Sequence, residues 1–306
     1  MQALLNTIAT MDLPTDACRI FHGRGGLFPG CEQLALEAYP PLLLLTSFEP
    51  LEAAALQAVG EALAQRWAQL APGQALSWVY QCRAEGQAET RLMSGSVPEP
   101  HLVSEAGSLY QVHVLKGQNH GLFLDMAAGR RWVSEYLAGR PGLRVLNLFA
   151  YTCAFSVVAL RAGAQQVVNV DMSAGALSIG RKNHQLNGLT QGASFLAHDI
   201  FNSWGKIGRS GPFDLIVLDP PSYQKGSFVA SKDYARLMRR LPGLLAPGGH
   251  AMLCLNTPKL DTAFLQDQMR ELAPELSFVA RVANPAVFAD VSEERSLKVL
   301  VYKAAD

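Results

Sequence analysis

The sequence has little charge imbalance for electrostatics to act on: 26 Lys and Arg face 26 Asp and Glu, a formal net charge of zero. That excludes a globally basic nucleic-acid binder, although a local basic patch can sit inside a neutral total. Cysteine is sparse. Cys18, Cys31, Cys82, Cys153 and Cys254 are odd in number, scattered and without a CxxC pair. This excludes a disulfide framework, gives no metal-ligand spacing and fits reduced thiols in a cytoplasmic protein. No apolar run approaches the ~20 residues that span a bilayer, and PPLLLLTSF falls far short. The start, MQALLNTIATMDLPTD, lacks a basic n-region and a long apolar core, so no signal peptide is expected.

What is present describes a globular chain. Of its 306 residues 49% are hydrophobic and 17% charged, enough for a sizeable core and for more than one domain. From about Val145 onward, VLNLF, VVNVD, SFLAHD, FDLIVLD and HAMLCLN read as parallel strands buried on both faces. Between them AFSVVALRAG, SAGALSIGRKNHQLNG, KDYARLMRRLPGLLAPGG and DTAFLQDQMRELAP carry helical spacing. Strand alternating with helix implies a doubly wound α/β sheet, and LSFVARVAN and SLKVLVYKA add two strands at the end. The N-terminal part, with a helix over residues 50–71 among short strands and turns, reads as a smaller α+β domain. The expected division is residues 1–115 and 116–306.

Doubly wound sheets bind ligands beyond the C-terminal ends of their strands. After VLNLF the chain offers AYTCAF and then a helix; no G-x-G-x-x-G follows, which argues against a dinucleotide. Asn147, Ala150, Tyr151 and Thr152 stand where backbone amides and a helix N-terminus face an anion, a methionine carboxylate or a phosphate; an ordinary strand-to-helix turn would leave the same trace. Asp171 ends the second strand, where a carboxylate accepts from ribose hydroxyls or simply caps a helix, a task Ser173 could also perform. Asp199, with Ile200 and Phe201 beyond it, could meet an adenine or start a turn. The most specific signal is Asp219-Pro220-Pro221-Ser222-Tyr223, directly after FDLIVL. Two prolines fix a rigid turn that presents a carboxylate, carbonyls and an aromatic ring, the equipment for holding a planar nitrogen base.

Together NLFAYTCAF, VDMS, RKNHQLNGL, HDIF, FDLIVLDPPSY and LLAPGGHAM resemble the ribosomal RNA large-subunit methyltransferase family. That family includes PUA-domain cytosine-C5 enzymes and the guanine-N7 module of a bifunctional enzyme. GQNHGLFLD, RRWV, CRIFHGRGGLFPG and VYQCRAEGQAETRLMSG extend the likeness upstream. The resemblance implies a Rossmann-like, seven-stranded class I methyltransferase sheet using S-adenosyl-L-methionine. It implies a cofactor-lining set of Asn147, Phe149, Ala150, Tyr151, Thr152, Asp171, Met172, Asp199, Ile200 and Asp219. Asp219, Pro220, Pro221 and Tyr223 would frame methyl transfer, with Asn256 beside the substrate. From their charge alone Arg130, Arg131 and Lys225 could line a groove beside the site and meet substrate phosphates, although a solvated face would leave the same trace.

Four departures from the family pattern shape the expectation. Cys153 stands where the family's loop has Gly, narrowing the room for close backbone approach. Asn256 occupies the position of the C5 enzymes' nucleophilic cysteine, and Cys254 lies two residues earlier, inside the strand. Without a thiolate to add to the ring, nitrogen methylation is the expected chemistry. Asp125-Met126-Ala127 replaces the family's Asp-Gln-Arg, with Arg130 and Arg131 following. The chain begins at the middle domain, with no room for a PUA domain. The expected partner is structured rRNA, with no membrane and no metal; homo-oligomerisation is left open. Two other readings stand beside this one: a protein or small-molecule acceptor, and a cofactor-binding RNA-assembly factor without catalysis.

Overall fold

The computed structural model describes residues 1–86, 88–221, 223–224 and 228–306, residues 223–224 by backbone alone. Two compact units result, Met1–Asp125 with Pro285–Ser292, and Met126–Asn284 with Glu293–Asp306.

In the first unit α1 (Gln2–Thr10) precedes β1 (Cys18–His22), β2 (Leu34–Tyr39) and β3 (Leu42–Ser47). Then come α2 (Ala53–Leu70), β4 (Ser77–Cys82) and β5 (Glu89–Ser94). The sheet runs β1-β2-β3-β4-β5 and is antiparallel except where β3 meets β4, the pair bridged by α2. Every residue of β2, β3 and β4 is buried. α2 buries Leu56, Val59, Leu63 and Trp67, an apolar stripe at helical spacing, in the core with Leu4 and Ile8 of α1. A separate hairpin pairs β6 (His101–Glu105) with β7 (Ser108–Val112).

The second unit opens with α3 (Ala127–Leu137), then β8 (Arg144–Leu148), α4 (Ala154–Arg161), β9 (Gln166–Asp171), α5 (Ala174–Leu186) and β10 (Ala193–Ala197). α6 (Trp204–Gly208) leads into β11 (Phe213–Leu218), and a short ladder pairs β12 (Tyr223–Gln224) with β13 (Phe228–Val229). Next come α7 (Ala230–Met238), α8 (Leu241–Leu244), β14 (Leu245–Leu255), α9 (Thr262–Leu272), β15 (Leu276–Arg281) and β16 (Lys298–Ala304). The stretch read as one helix from KDYARLM onward is thus two, with Pro242 in the first turn of α8, where its missing N–H costs nothing.

Seven strands form the sheet in the order β10-β9-β8-β11-β14-β16-β15, parallel except for β16, which runs antiparallel to both neighbours. The winding reverses between β8 and β11. Apolar clusters on both sides of the sheet explain why its central strands read as unbroken hydrophobic runs: Leu146, Ile216 and Leu253 belong to one, Val145, Val217 and Met252 to the other. Among the described residues no helix is long and apolar enough to cross a membrane.

Candidate cofactor and methyl-transfer site

The β8–α4 loop is unusual in its backbone. Phe149, Tyr151 and Cys153 have φ of 58, 47 and 63°, the left-handed region that disfavours side chains. Each costs on the order of 1–3 kcal/mol and persists only where the surroundings hold it. The alternation turns successive peptide groups and brings α4 in with no side-chain cap on its first amides, an opening suited to an anion.

Contacts to β9 and α5 hold this loop. The Tyr151 amide donates to Asp171 Oδ2 at 2.8 Å, and the Ala150 amide to the Val170 carbonyl at 3.1 Å. Cys153 is fully buried and packs beneath the loop against α5: a Cβ on Gly180 would fall 2.5 Å from its Sγ. The side chain expected to narrow the room for close backbone approach occupies the space that the missing side chain of Gly180 leaves. Burial, and then the charge of Asp171, pushes the Cys153 thiol pKa well up.

Below the loop lies a buried polar chain not foreseen from the sequence. Asn147 Nδ2 donates to Asn169 Oδ1 at 2.9 Å, and Asn169 Nδ2 to Ser156 Oγ at 3.0 Å. Ser156 Oγ meets His184 Nε2 at 2.9 Å, and His184 Nδ1 meets the Gly180 carbonyl at 2.7 Å. Asn147 is 1% exposed, so its amide braces the loop from within. The signal was present in the sequence as polar residues inside VLNLF, VVNVD and AFSVV; Asn147 and Asn169 are register partners. Thr152 is buried as well, its carbonyl accepting from Asn183 Nδ2 at 3.0 Å.

Asp171 accepts the Ser173 amide on Oδ1 at 2.7 Å as well as the Tyr151 amide on Oδ2. Ser173 takes the capping role on α5, accepting from the Ala176 amide at 3.2 Å. The carboxylate is thus oriented by two donors, and each oxygen keeps acceptor capacity. Met172 beside it is 52% exposed, a large apolar side chain held at the open edge.

On the next strand end Asp199 accepts from the Phe201 amide (2.8 Å) and Asn202 Nδ2 (2.7 Å), so it does shape a turn, with Ile200 buried behind it. Phe201 stacks parallel to Phe228 at 6.5 Å, and Phe228 meets Phe149 edge-on at 5.3 Å. The Arg236 guanidinium lies 3.8 Å over the Phe201 ring and pairs with Asp233 at 3.0 Å. Phe228 links the strand ends into one apolar floor; it follows the Asp-Pro-Pro turn so loosely in sequence that nothing singled it out.

Asp219 follows Leu218, the register partner of Leu148, so it stands across the reversal point from Phe149. Burial above all, with the charge of Asp219 a lesser cause, pushes the Tyr234 pKa well up, and the Tyr234 hydroxyl donates to the Cys254 carbonyl. Pro220 is buried. The ring of Tyr223, with Ser222, Lys225 and Ser227, lies outside the described residues. Cys254 is 1% exposed inside β14, and Asn256 is exposed just past it. Lys298, itself fully buried, ties the following loop down through the carbonyls of Thr257 (2.8 Å) and Glu294 (2.6 Å). Arg130 is only 3% exposed, whereas Arg131 reaches solvent. Among the described residues no group of three or more His, Cys, Asp or Glu is placed to hold a metal ion.

Asp199, Asp171, the 149–153 loop and Asp219 thus occupy the same edge of four neighbouring strands, a line of three interstrand steps of ~4.8 Å. The donor set suits an adenosyl-amino acid: a carboxylate for ribose, α4 amides without a side-chain cap for an α-carboxylate, and apolar side chains for a purine.

The sequence matches the S-adenosylmethionine-dependent methyltransferase family over residues 18–303. It is 38% identical over 174 residues to ribosomal RNA large subunit methyltransferase I of Aeromonas salmonicida, covering 55% of this chain and 43% of that protein. It is 37% identical over 169 residues to ribosomal RNA large subunit methyltransferase K/L of a Psychrobacter species, covering 53% and 20%. The match therefore spans under half the length of these curated relatives. The crystal structure of SMU.776 complexed with SAH superposes with a TM-score of 0.84 at 24% identity, covering 99% of this chain and 81% of that one, a likeness of fold. With a family match over nearly its whole length and a strand order that carries the expected residues to one edge, the chain belongs to the S-adenosylmethionine-dependent methyltransferases.

Proposed function

We propose that this protein methylates a base nitrogen in ribosomal RNA, in the cytoplasm, with residues 116–306 carrying the chemistry and residues 1–115 serving substrate recognition. The observation that carries the reading is the placement of Asp219 across the reversal point from the strained Phe149–Cys153 loop. S-adenosylmethionine, when bound, supplies a methyl group on a sulfonium centre. Asp171 would accept from the ribose hydroxyls, Met172 and Ile200 would flank the adenine beside Asp199, and the α4 amides with Tyr151 would take the carboxylate.

Asp219 and the carbonyls of the Pro220-Pro221 turn would orient the target nitrogen, so that rate comes from positioning. Cys254 is sealed in a strand, which speaks against a covalent adduct at C6 of a pyrimidine and in favour of direct transfer to nitrogen. The names of the curated relatives support rRNA as acceptor.

Purified protein incubated with labelled S-adenosylmethionine and rRNA should label a nucleoside whose mass and hydrolysis identify an N-methyl base; label confined to protein or small molecules would refute the reading. Asp219→Ala should cut turnover by at least roughly 100-fold through lost positioning while cofactor affinity, read by calorimetry, changes little. Unchanged turnover would remove Asp219 from the chemistry.

A further inference from the structure

The first unit concentrates guanidinium groups that the methyl-transfer site does not use. β1 ends in a tight turn, Gly23-Arg24-Gly25-Gly26, and its geometry admits a side chain at Arg24 alone. A Cβ on Gly23 would fall 1.8 Å from the Cys31 carbonyl oxygen, and one on Gly25 2.0 Å from that of Ala289. Gly26 has φ of 75°. The turn is pinned further by the Val291 amide donating to the Gly25 carbonyl at 2.8 Å. A rigid turn thus presents one exposed arginine.

The Arg24 guanidinium carbon lies 3.9 Å over the Phe48 ring, and that of Arg83 lies 6.0 Å from the same ring. Arg83 is aimed by Gln81 Oε1, which accepts from its Nε at 2.6 Å, and by His120 Nε2 at 3.1 Å from Nη2. A third arginine stands behind. Arg19 is the one satisfied by a carboxylate, Glu37, which it meets at 2.7 and 3.1 Å, and its Nη1 donates to His22 Nδ1 at 2.7 Å. Among the described residues neither Arg24 nor Arg83 forms an ion pair. Glu37, the buried carboxylate beside them, pairs with Arg19, so three guanidinium groups gather here with one ion pair among them at the described residues. Partial enclosure, with mutual repulsion from Arg19 and Arg83, lowers the Arg24 pKa.

Like charges are not gathered by folding energetics. A planar guanidinium backed by a ring and aimed by neutral partners is the arrangement that receives phosphate bidentately. The surroundings narrow the carrier. Leu27 and Phe28 on the same turn are 48% and 37% exposed, and Val291 opposite Gly26 is 58% exposed. Cationic groups interleaved with exposed apolar and aromatic side chains are what unpaired nucleotides require, phosphates on the arginines and bases against the apolar faces.

We propose that Arg24 and Arg83, framed by Phe48 and Phe28, form a binding site for the phosphodiester backbone of single-stranded RNA, separate from the methyl-transfer site. The phosphate chemistry stands on these residues alone; the choice of RNA as its carrier rests on the rRNA reading above.

The test measures binding of an unstructured rRNA-derived oligonucleotide by fluorescence anisotropy over a salt series, with the full chain and with Arg24→Ala, Arg24→Lys and Arg24→Glu. Arg24→Ala should weaken binding roughly tenfold or more and lower the slope of log K against log salt by roughly 0.7 to 1. Arg24→Lys should keep the slope, and Arg24→Glu should lose more than Arg24→Ala. Affinity for S-adenosylhomocysteine and the thermal midpoint should stay at wild-type values in all three, which separates the loss from misfolding.

Competition by inorganic phosphate at concentrations matched to the oligonucleotide's phosphates should fail. Equal competition would reassign the site to free phosphate and overturn the RNA proposal. Equal affinity and slope for wild type and Arg24→Ala would overturn it while leaving the rRNA reading standing. Wild-type protein that neither binds nor methylates RNA would overturn both.

Discussion

Asp171 does two jobs with one carboxylate. Its oxygens accept the amides of Tyr151 and Ser173, and so fix the loop on either side of the β9 end before any ligand arrives. Hydrogen bonds to a charged acceptor are worth about 1.5–3 kcal/mol each. Asp171→Asn replaces one acceptor with an NH2 that would face an amide donor, so one of the two bonds is lost. The expected outcome is a drop in affinity for S-adenosylhomocysteine of roughly ten- to a hundredfold, with a lower melting temperature. Calorimetric titration beside thermal unfolding checks both; affinity at the wild-type level would mean that the loop's shape does not depend on this carboxylate. Cys153 belongs to the same argument, because its left-handed backbone is tolerated only while its side chain has somewhere to go.

That place is on α5, which moves the question to the packing of elements. The β8–α4 loop and α5 interlock through Cys153 and Gly180, with 2.5 Å between Sγ and the position a Cβ on Gly180 would take. Gly180→Ala should therefore overpack the contact and cost about 1–3 kcal/mol. In a Cys153→Gly background, which also removes strain at φ 63°, most of that cost should vanish. A double-mutant cycle by urea denaturation reads the coupling, and an equal penalty in both backgrounds would locate the conflict elsewhere.

The same interlock shows what the sequence could and could not disclose. The strands of the second unit were legible because a parallel sheet covered on both faces writes itself as short apolar runs, and VLNLF, VVNVD and FDLIVLD stand where β8, β9 and β11 lie. Their C-terminal residues followed, since strand ends in such sheets share an edge. By contrast, LALEAY and LLLLTS were not read as strands, though they are β2 and β3. One face of them, Leu34, Leu36 and Ala38 of β2 with Leu43 and Leu45 of β3, packs in the core with α1 and α2, partners that a local pattern does not name. The return of Pro285–Ser292 to the first unit was illegible for a similar reason: the Gly25–Val291 bond joins residues far apart in the chain. The Asn147–His184 chain was visible only as misplaced polarity until pairing register put its members side by side.

At the scale of the whole molecule, histidine sets the acid limit. Of seven histidines, five have pKa values lowered chiefly by burial: His22, His101, His120, His184 and His250. His22 falls furthest, to about 4, because Arg19 and Arg24 add repulsion to burial. The sign follows from linkage. In the unfolded chain these groups take up protons near pH 6.5, whereas the folded chain refuses them until lower pH, so the unfolded state binds more protons in that window. Stability contributed by the neutral forms is complete above about pH 6.5 and is lost progressively as pH falls, for His22 down to about 4. Each group contributes at most ~1.4 kcal/mol per pH unit across its own window, less where it is half-exposed. The expected result is a urea midpoint that is flat from pH 8 to 7 and falls steadily between pH 6.5 and 5, with proton uptake on unfolding. His22→Asn and His120→Asn should flatten that fall without moving the plateau. A midpoint that stays level down to pH 5 would mean that these imidazoles gain protons as readily in the folded chain as in the unfolded one.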